Sequence, residues 1–268
     1  MVTSAAARPF GIVTGASSGI GLGIARDLVR RGYDLVVAAD EAEIHSAATE
    51  LQGVDGADVR AVRVDLATRD GVRELAEATR TVGRPVDALV LNAGVGVDGP
   101  FVETDVDAHV RLIELNITSA VHLAGLLLPA MAARGEGRLM ITSSVAAAMT
   151  GPLMSTYNAS KTFLAAFAEA LHEELDDCGV TVTALMPGGT DTEFFARADM
   201  EDSKLGQAKK DDPDEVGRDA VDAMLAGKDK VIPGSLKNKV LVAASKVLPD
   251  GAVGAGHERF VETDTDKG

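Results

Sequence analysis

Apolar and polar positions come in alternating blocks along this chain, short β-branched or aliphatic runs taking turns with longer stretches of helical period. Pro9–Thr14, Asp34–Ala38, Val59–Val64, Ala88–Leu91, Arg138–Thr142 and Val180–Met186 have the length and residue types of strands. Between them, Gly19–Arg31, Glu41–Leu51, Arg69–Val82, Asp105–Arg134 and Ser155–Asp177 read as helices, and Gly32, Gly135 and Gly179 stand where three of these would stop. Repeated strand–helix–strand units predict an α/β fold, a Rossmann-type doubly wound, mostly parallel sheet flanked by helices on both faces. Ala196–Asp214 is polar, charged and too long for a tight connection, so a lid-like segment near 193–214 or a solvated insertion is expected there. After Lys230–Gly234, the apolar stretch Leu236–Leu248 reads as a further helix that packs on the parent domain or a partner, or lies at a membrane interface. No composition break divides the chain, so a single domain over 8–260 is expected, with flexible tails at 1–7 and 261–268.

Composition narrows this picture. With seven Phe, two Tyr and no Trp among 268 residues, the core must be built from Ala, Val, Leu and Ile, as suits a buried parallel sheet. Phenol chemistry has two candidates, Tyr33 and Tyr157. The formal net charge is −15, and the Lys209-Lys210 pair runs directly into Asp211-Asp212, so no basic patch offers itself to nucleic acid or to an anionic membrane. Residues 1–8 lack a basic segment leading into an apolar one, and no uninterrupted apolar run approaches ~18 residues, so neither a signal peptide nor a spanning helix is expected. The lone Cys178 excludes an internal disulfide and reads as structural filler near a helix end. A cytoplasmic location is the expectation. His45, His109, His122, His172 and His257 show no metal-ligand spacing, and no metal is assigned.

Chemistry first enters at Thr14-Gly15-Ala16-Ser17-Ser18-Gly19-Ile20-Gly21, which follows the first strand and opens the first helix. Gly15 permits a sharp turn, and Gly19 and Gly21 permit close approach of a pyrophosphate and close packing of helix on sheet. The helix N-terminus adds free N–H groups and positive potential for phosphate. A Walker A loop is excluded, since no Gly-Lys-Ser/Thr follows. Asp40 lies at the end of the second strand, close to the offset of about 20 residues at which a carboxylate reads the adenosine ribose. That carboxylate and Glu41 would repel a 2′-phosphate, and no Arg or Lys lies between Tyr33 and Thr49 to receive one, which favours NAD over NADP. Asp40 also fits a helix N-cap, a role compatible with the first.

Tyr157-Asn158-Ala159-Ser160-Lys161 places a phenol and an ammonium four residues apart, on one face of a helix. A phenol titrates near ~10, too high for efficient proton transfer at neutral pH, and a nearby cation pulls it down. Ser144 ends the strand Leu139–Ser144, on the side of a parallel sheet where ligands bind. A Tyr-x-x-x-Lys pair alone is commonly just an exposed pair; here it stands in company.

Taken together, Gly15-x-x-x-Gly19-x-Gly21, Asn92-Ala93-Gly94, Asn116, Ser144, Tyr157-x-x-x-Lys161 and Pro187-Gly188 resemble the short-chain dehydrogenase/reductase family, in its single-domain oxidoreductase branch, over residues 9 to about 194. The resemblance implies that Tyr157 is the general acid/base, that Lys161 lowers its pKa and holds the nicotinamide ribose, and that Ser144 hydrogen-bonds the substrate oxygen. It implies a water relay supported by Asn116, and an NAD(P) cofactor held by Gly15, Ser17, Ser18, Gly19, Ile20 and Gly21 at the pyrophosphate. Asp40, Asp65 and Leu66 would border the adenosine end, Asn92, Ala93 and Gly94 would lie along the cofactor, and Pro187, Gly188, Thr190 and Thr192 would hold the nicotinamide end. Two departures stand out: Gly189-Thr190-Asp191-Thr192 replaces the family's usual run after Pro-Gly, and the acid after the second strand comes at Asp40 rather than at Ala39. Helices Asp105–Arg134 and Ser155–Asp177 resemble the family's dimer-forming pair. The chain end does not resemble that of tetrameric members, so a homodimer is expected, with a tetramer as the alternative.

The implied activity is NAD(P)-dependent interconversion of a secondary alcohol and a ketone. Val145–Thr156 is rich in Ala and Met, and with Val95, Val97, Phe101, Phe194 and Phe195 it suggests an apolar pocket for a medium-sized small-molecule ketone or alcohol. Two other functions fit the scaffold: a non-redox epimerase or dehydratase with tightly bound NAD, and a non-catalytic dinucleotide sensor. The glycine spacing and Asn92-Ala93-Gly94 weigh against the first, and retention of both Tyr157 and Lys161 weighs against the second.

Overall fold

In a computed structural model of the chain, residues 8–192, 194, 207, 210–234, 238 and 242 are described. Seven strands, β1 (Phe10–Thr14), β2 (Asp34–Ala39), β3 (Val59–Arg63), β4 (Ala88–Leu91), β5 (Gly137–Thr142), β6 (Val180–Leu185) and β7 (Lys230–Val231), form one sheet. Every pairing is parallel, in the order β3-β2-β1-β4-β5-β6-β7. The chain leaves β1 for β2 on one side and returns to β4 on the other, so the connections diverge at the carboxyl ends of β1 and β4. That divergence opens a crevice where ligands of such sheets bind.

The pleat sorts the strand residues into two cores. Phe10 and Ile12 of β1, Leu89 and Leu91 of β4, and Leu139 and Ile141 of β5 face one layer. That layer contains α3 (Arg69–Arg80), α5 (Ser119–Arg134) and α6 (Ser155–Leu175). Val13, Leu35, Val37, Val90 and Met140 face the other, with α1 (Gly19–Arg30), α2 (Glu43–Gln52) and α7 (Pro213–Leu225). Because β1, β2 and β4 are buried on both faces, they read in the sequence as unbroken apolar runs.

Three elements differ from the pattern-based expectation. The long helix expected over 105–134 is α4 (Val106–Ile113), one π turn (Glu114–Thr118) and then α5. This continuous run is long and apolar enough by composition to cross a bilayer, but its apolar residues Leu123, Ala124, Leu127 and Met131 lie in the core against the sheet. Secondly, α7 is not anticipated, since Asp211-Asp212-Pro213-Asp214 reads as loop. In the fold Asp212 is the N-cap, its carboxylate accepting from the Asp214 and Glu215 N–H groups, with Pro213 in the first turn. A short 3₁₀ turn (Val145–Ala148) also follows β5. Most of the expected lid near 193–214, most of the helix near 236–248 and both tails lie outside the described residues.

Candidate active site

At the end of β1 the chain must turn sharply into α1. Gly15 and Gly19 take left-handed conformations, with φ of 65° and 55°. A Cβ on Gly21 would run into the Gly15 carbonyl and lie 2.6 Å from Asn92 Nδ2. Ser18, the α1 N-cap, is extended and makes no side-chain cap bond, and the first turn carries no acid, so the helix end is left as a donor surface. Thr14 braces this turn against β4: its Oγ1 donates to Val90 O and accepts from the Asn92 and Ala93 N–H groups. Asn92 Nδ2 in turn donates to Thr14 O.

Asp40 follows β2, Arg63 closes β3 and Asp65 lies just beyond it. Arg111, on the last turn of α4, donates to both Asp65 carboxylate oxygens, at 3.0 and 3.3 Å, and its Nη2 lies 3.6 Å from Asp40 Oδ2. Arg63 Nε donates to Asp40 O at 3.0 Å. Burial works to raise the Asp65 carboxyl, but the Arg111 bond and the Ala67 N–H outweigh it and hold the group below its ordinary value. Leu66 is buried, and Ser17 Oγ donates to Glu41 Oε2 at 2.9 Å.

On the other side of the crevice, β5 delivers Ser144 and α6 delivers Tyr157 and Lys161, all three buried. Ser144 Oγ donates to Pro187 O at 3.5 Å and accepts from the Ala146 N–H at 3.1 Å, and its hydroxyl is near enough to the Tyr157 phenol to draw the phenol's pKa down. Burial pushes the Tyr157 phenol up to about 12, and the neighbouring Ser144 hydroxyl offsets only part of that. Lys161 Nζ donates to Thr142 O at 3.0 Å and lies 5.7 Å from the centre of the Tyr157 ring. Burial brings its pKa down from 10.5 to about 8. In the chain without cofactor, burial outweighs the pull on the phenol that the neighbouring ammonium and a bound cationic nicotinamide are expected to exert together. The amine is itself desolvated and is turned to a backbone carbonyl.

The π turn brings Asn116 in beside them. Its Nδ2 donates to Val95 O and Ser160 Oγ, each at 3.0 Å, and its Oδ1 accepts from the Val95 N–H at 2.9 Å. Gly94 separates it from the lysine: a Cβ there would sit 3.0 Å from Asn116 Oδ1 and 3.3 Å from Lys161 Nζ. After β6, Pro187 O accepts from the Val145 N–H at 3.0 Å, Thr190 is buried with its Oγ1 donating to Gly188 O, and the Thr192 methyl faces Gly19. Leu112, Ala146, Met154 and Tyr157 form an apolar wall with Val95, Val97, Leu153 and Phe194, whereas Phe101 is exposed and Phe195 lies outside the described residues.

The residues singled out in the sequence thus share the carboxyl edge of one sheet. Sequence reasoning placed Thr14 only at the start of the glycine turn, without its bracing role, and missed Arg63 and Arg111. The absence of a cation between Tyr33 and Thr49 is real, but the nearby cations come from β3 and α4. Adjacency of β2 and β3 was the signal available for Arg63; nothing local marked Arg111.

Residues 11–203 match the short chain dehydrogenase family. An uncharacterized oxidoreductase of Staphylococcus saprophyticus is 31% identical over 214 residues, covering 80% of this chain and 89% of the relative. Among solved structures, a short-chain dehydrogenase from Sphingobium yanoikuyae in complex with NADPH superimposes with a TM-score of 0.80 at 30% identity, over 89% of this chain and 93% of that one. A bulky-bulky ketone specific alcohol dehydrogenase from Comamonas testosteroni gives 0.74 at 26% identity, over 89% and 93%. With the family match spanning most of the chain and the sheet order and crevice in place, this protein belongs to the short-chain dehydrogenases, oxidoreductases that act with NAD(P).

Proposed function

We propose that the protein interconverts a secondary alcohol and a ketone, with Tyr157 moving the proton, Ser144 and Lys161 flanking it, and NAD preferred over NADP. One observation carries the reading: Ser144, Tyr157 and Lys161 are buried together, with Lys161 Nζ 5.7 Å from the centre of the Tyr157 ring, between an apolar wall and a glycine turn. The turn fits a dinucleotide in its chemistry: Gly15 and Gly21 let it fold tightly against the β4 end and against itself, and the start of α1 carries neither a side-chain cap bond nor an acid that would oppose a pyrophosphate. The nicotinamide would supply or accept the hydride. Asp40 and Glu41 support NAD by opposing a 2′-phosphate. Asn92, Ala93 and Gly94 would line the cofactor's path, and Pro187, Gly188, Thr190 and Thr192 its nicotinamide end.

In the reductive direction Ser144 orients the carbonyl oxygen toward Tyr157. The phenol, kept protonated by burial, donates its proton as negative charge grows on that oxygen. Lys161, anchored on Thr142 O, stabilises the phenolate left behind, and Asn116 holds the backbone at Val95 so that a water relay behind Lys161 can return the proton. In the oxidative direction Tyr157 must first lose its proton, which its burial opposes.

The test is to follow NADH and NADPH absorbance with a panel of ketones and secondary alcohols, for wild type and Tyr157→Phe. Turnover of medium-sized apolar carbonyls is expected, falling in the variant by about 10²–10⁴ with cofactor affinity retained. Near-full activity of the variant would remove Tyr157 from its role. The exposed apolar residues Val106, Val110 and Ile113 on α4, Val121 on α5 and Phe163 on α6 support a homodimer. Light scattering at micromolar concentration should give twice the chain mass, and a monomer would refute it.

A further inference from the structure

The adenosine end holds an arrangement that the reading of Asp40 as sole ribose reader leaves unexplained. Three carboxylates lie there, on Asp40, Glu41 and Asp65, and two guanidiniums lie among them. Glu41 is engaged by Ser17 Oγ. Arg111 spans from Asp65 to Asp40, and Arg63 donates to the Asp40 carbonyl. The Arg111, Asp40 and Asp65 side chains are 51%, 54% and 38% exposed, so these ion pairs contribute little to holding the fold together. A planar fork of donors fits a phosphate as well as it fits a carboxylate. Arg111 is also carried on α4, the helix that continues through the π turn into Asn116, so the adenosine end and the Lys161 side share one rigid element.

We propose that Arg111 and Arg63 form a masked 2′-phosphate site, shut by the Asp40 carboxylate. Discrimination between NAD and NADP then depends on the Asp40–Arg111 pair and not on Asp40 alone. Asp65 holds both Nη atoms of Arg111, and the ionised Asp40 carboxylate, 3.6 Å from Nη2, adds a second negative charge there that repels an incoming anion. Without that charge, two guanidiniums remain beside the end of β2, where the adenosine ribose would lie, with Asp65 and Glu41 the carboxylates still opposing a phosphate. Arg111 is in this sense a specificity-determining residue, supplied from an element that carries none of the ribose-reading sequence. The inference rests on the proposed dinucleotide site.

The experiment measures dissociation constants of NADH and NADPH for the full chain by nicotinamide fluorescence, with AMP and adenosine 2′,5′-bisphosphate as probes of the adenosine end. Four proteins are compared: wild type, Asp40→Asn, Arg111→Met and the double variant, each checked for an unchanged thermal transition. Wild type should bind NADH more tightly than NADPH. Asp40→Asn should tighten NADPH and the bisphosphate by about tenfold or more, the worth of one charge-assisted contact. Adding Arg111→Met should abolish most of that gain while moving AMP little. If the double variant keeps the gain, another group receives the phosphate and the proposal falls. It also falls if wild type already prefers NADPH, although the oxidoreductase reading then stands. If wild type binds neither dinucleotide, the proposed cofactor site fails and takes this inference with it.

Discussion

Replacing Lys161 by methionine should stabilise the cofactor-free protein at neutral pH, and the sign of the effect should reverse in alkali. Lys161 is buried on α6, its amine donating to the Thr142 carbonyl, and burial lowers its pKa from 10.5 to about 8. That displacement corresponds to about 3 kcal/mol of folding stability withheld wherever the amine is charged in both states. Between about 8 and 10.5 the unfolded chain binds a proton that the folded chain does not, so wild-type stability rises with pH across that window; below it the full penalty applies. Methionine carries no charge and has similar bulk, but forfeits the bond to Thr142, worth roughly 1–2 kcal/mol at any pH. At pH 7 the variant should therefore be more stable by about 1–2 kcal/mol, a transition several degrees higher for a chain of this size. Near pH 10.5 it should be less stable by a similar amount. Tyr157 acts in the opposite sense, since its raised pKa costs stability as pH climbs from 10 toward about 12, but it is present in both proteins and drops out of their difference. Urea unfolding of both proteins without cofactor, from pH 7 to 10.5, reads the difference directly. A gap that stays constant with pH would refute the burial argument.

Gly21→Ala should weaken cofactor binding by about tenfold or more with secondary structure intact, because the added methyl collides with the Gly15 carbonyl and opens the turn. Wild-type affinity by calorimetry would show that the turn is not the cofactor's cradle. Asn116→Ala should lower stability by about 3–5 kcal/mol, since it strips partners from the Val95 N–H, the Val95 carbonyl and Ser160 in the interior. An unchanged urea midpoint would mean that water replaces the amide without loss.

How much of this was legible in the sequence depended on whether a feature is local. The strands were legible because β1, β2 and β4, covered on both faces, cannot carry polar residues in mid-strand. Tyr157 and Lys161 were legible because a helix puts residues four apart on one face. The π turn was not, because one widened turn leaves the apolar pattern of the surrounding helix nearly intact, and the buried Asn116 amide is its only trace in the chain. In α7 the acids that cap the helix N-terminus resemble the composition of a loop. Arg111 was beyond reach for another reason: its partners lie 46 residues and more upstream, on strand ends brought under α4 only by the sheet order.

A single physical cause links the illegible chemistry to the legible fold. The two-sided packing that makes the strands readable also buries the end of β5 and the first turns of α6, and that burial drives the phenol and the amine toward their neutral forms. On the proposed reading, a phenol that burial holds protonated would serve the step that adds a proton to a carbonyl oxygen. Drawing phenolate from this site would lean on Lys161, whose Nζ lies 5.7 Å from the centre of the ring and is itself desolvated. The burial that keeps the Tyr157 phenol protonated also desolvates the Lys161 amine, and it is that second cost alone that Lys161→Met would release as stability.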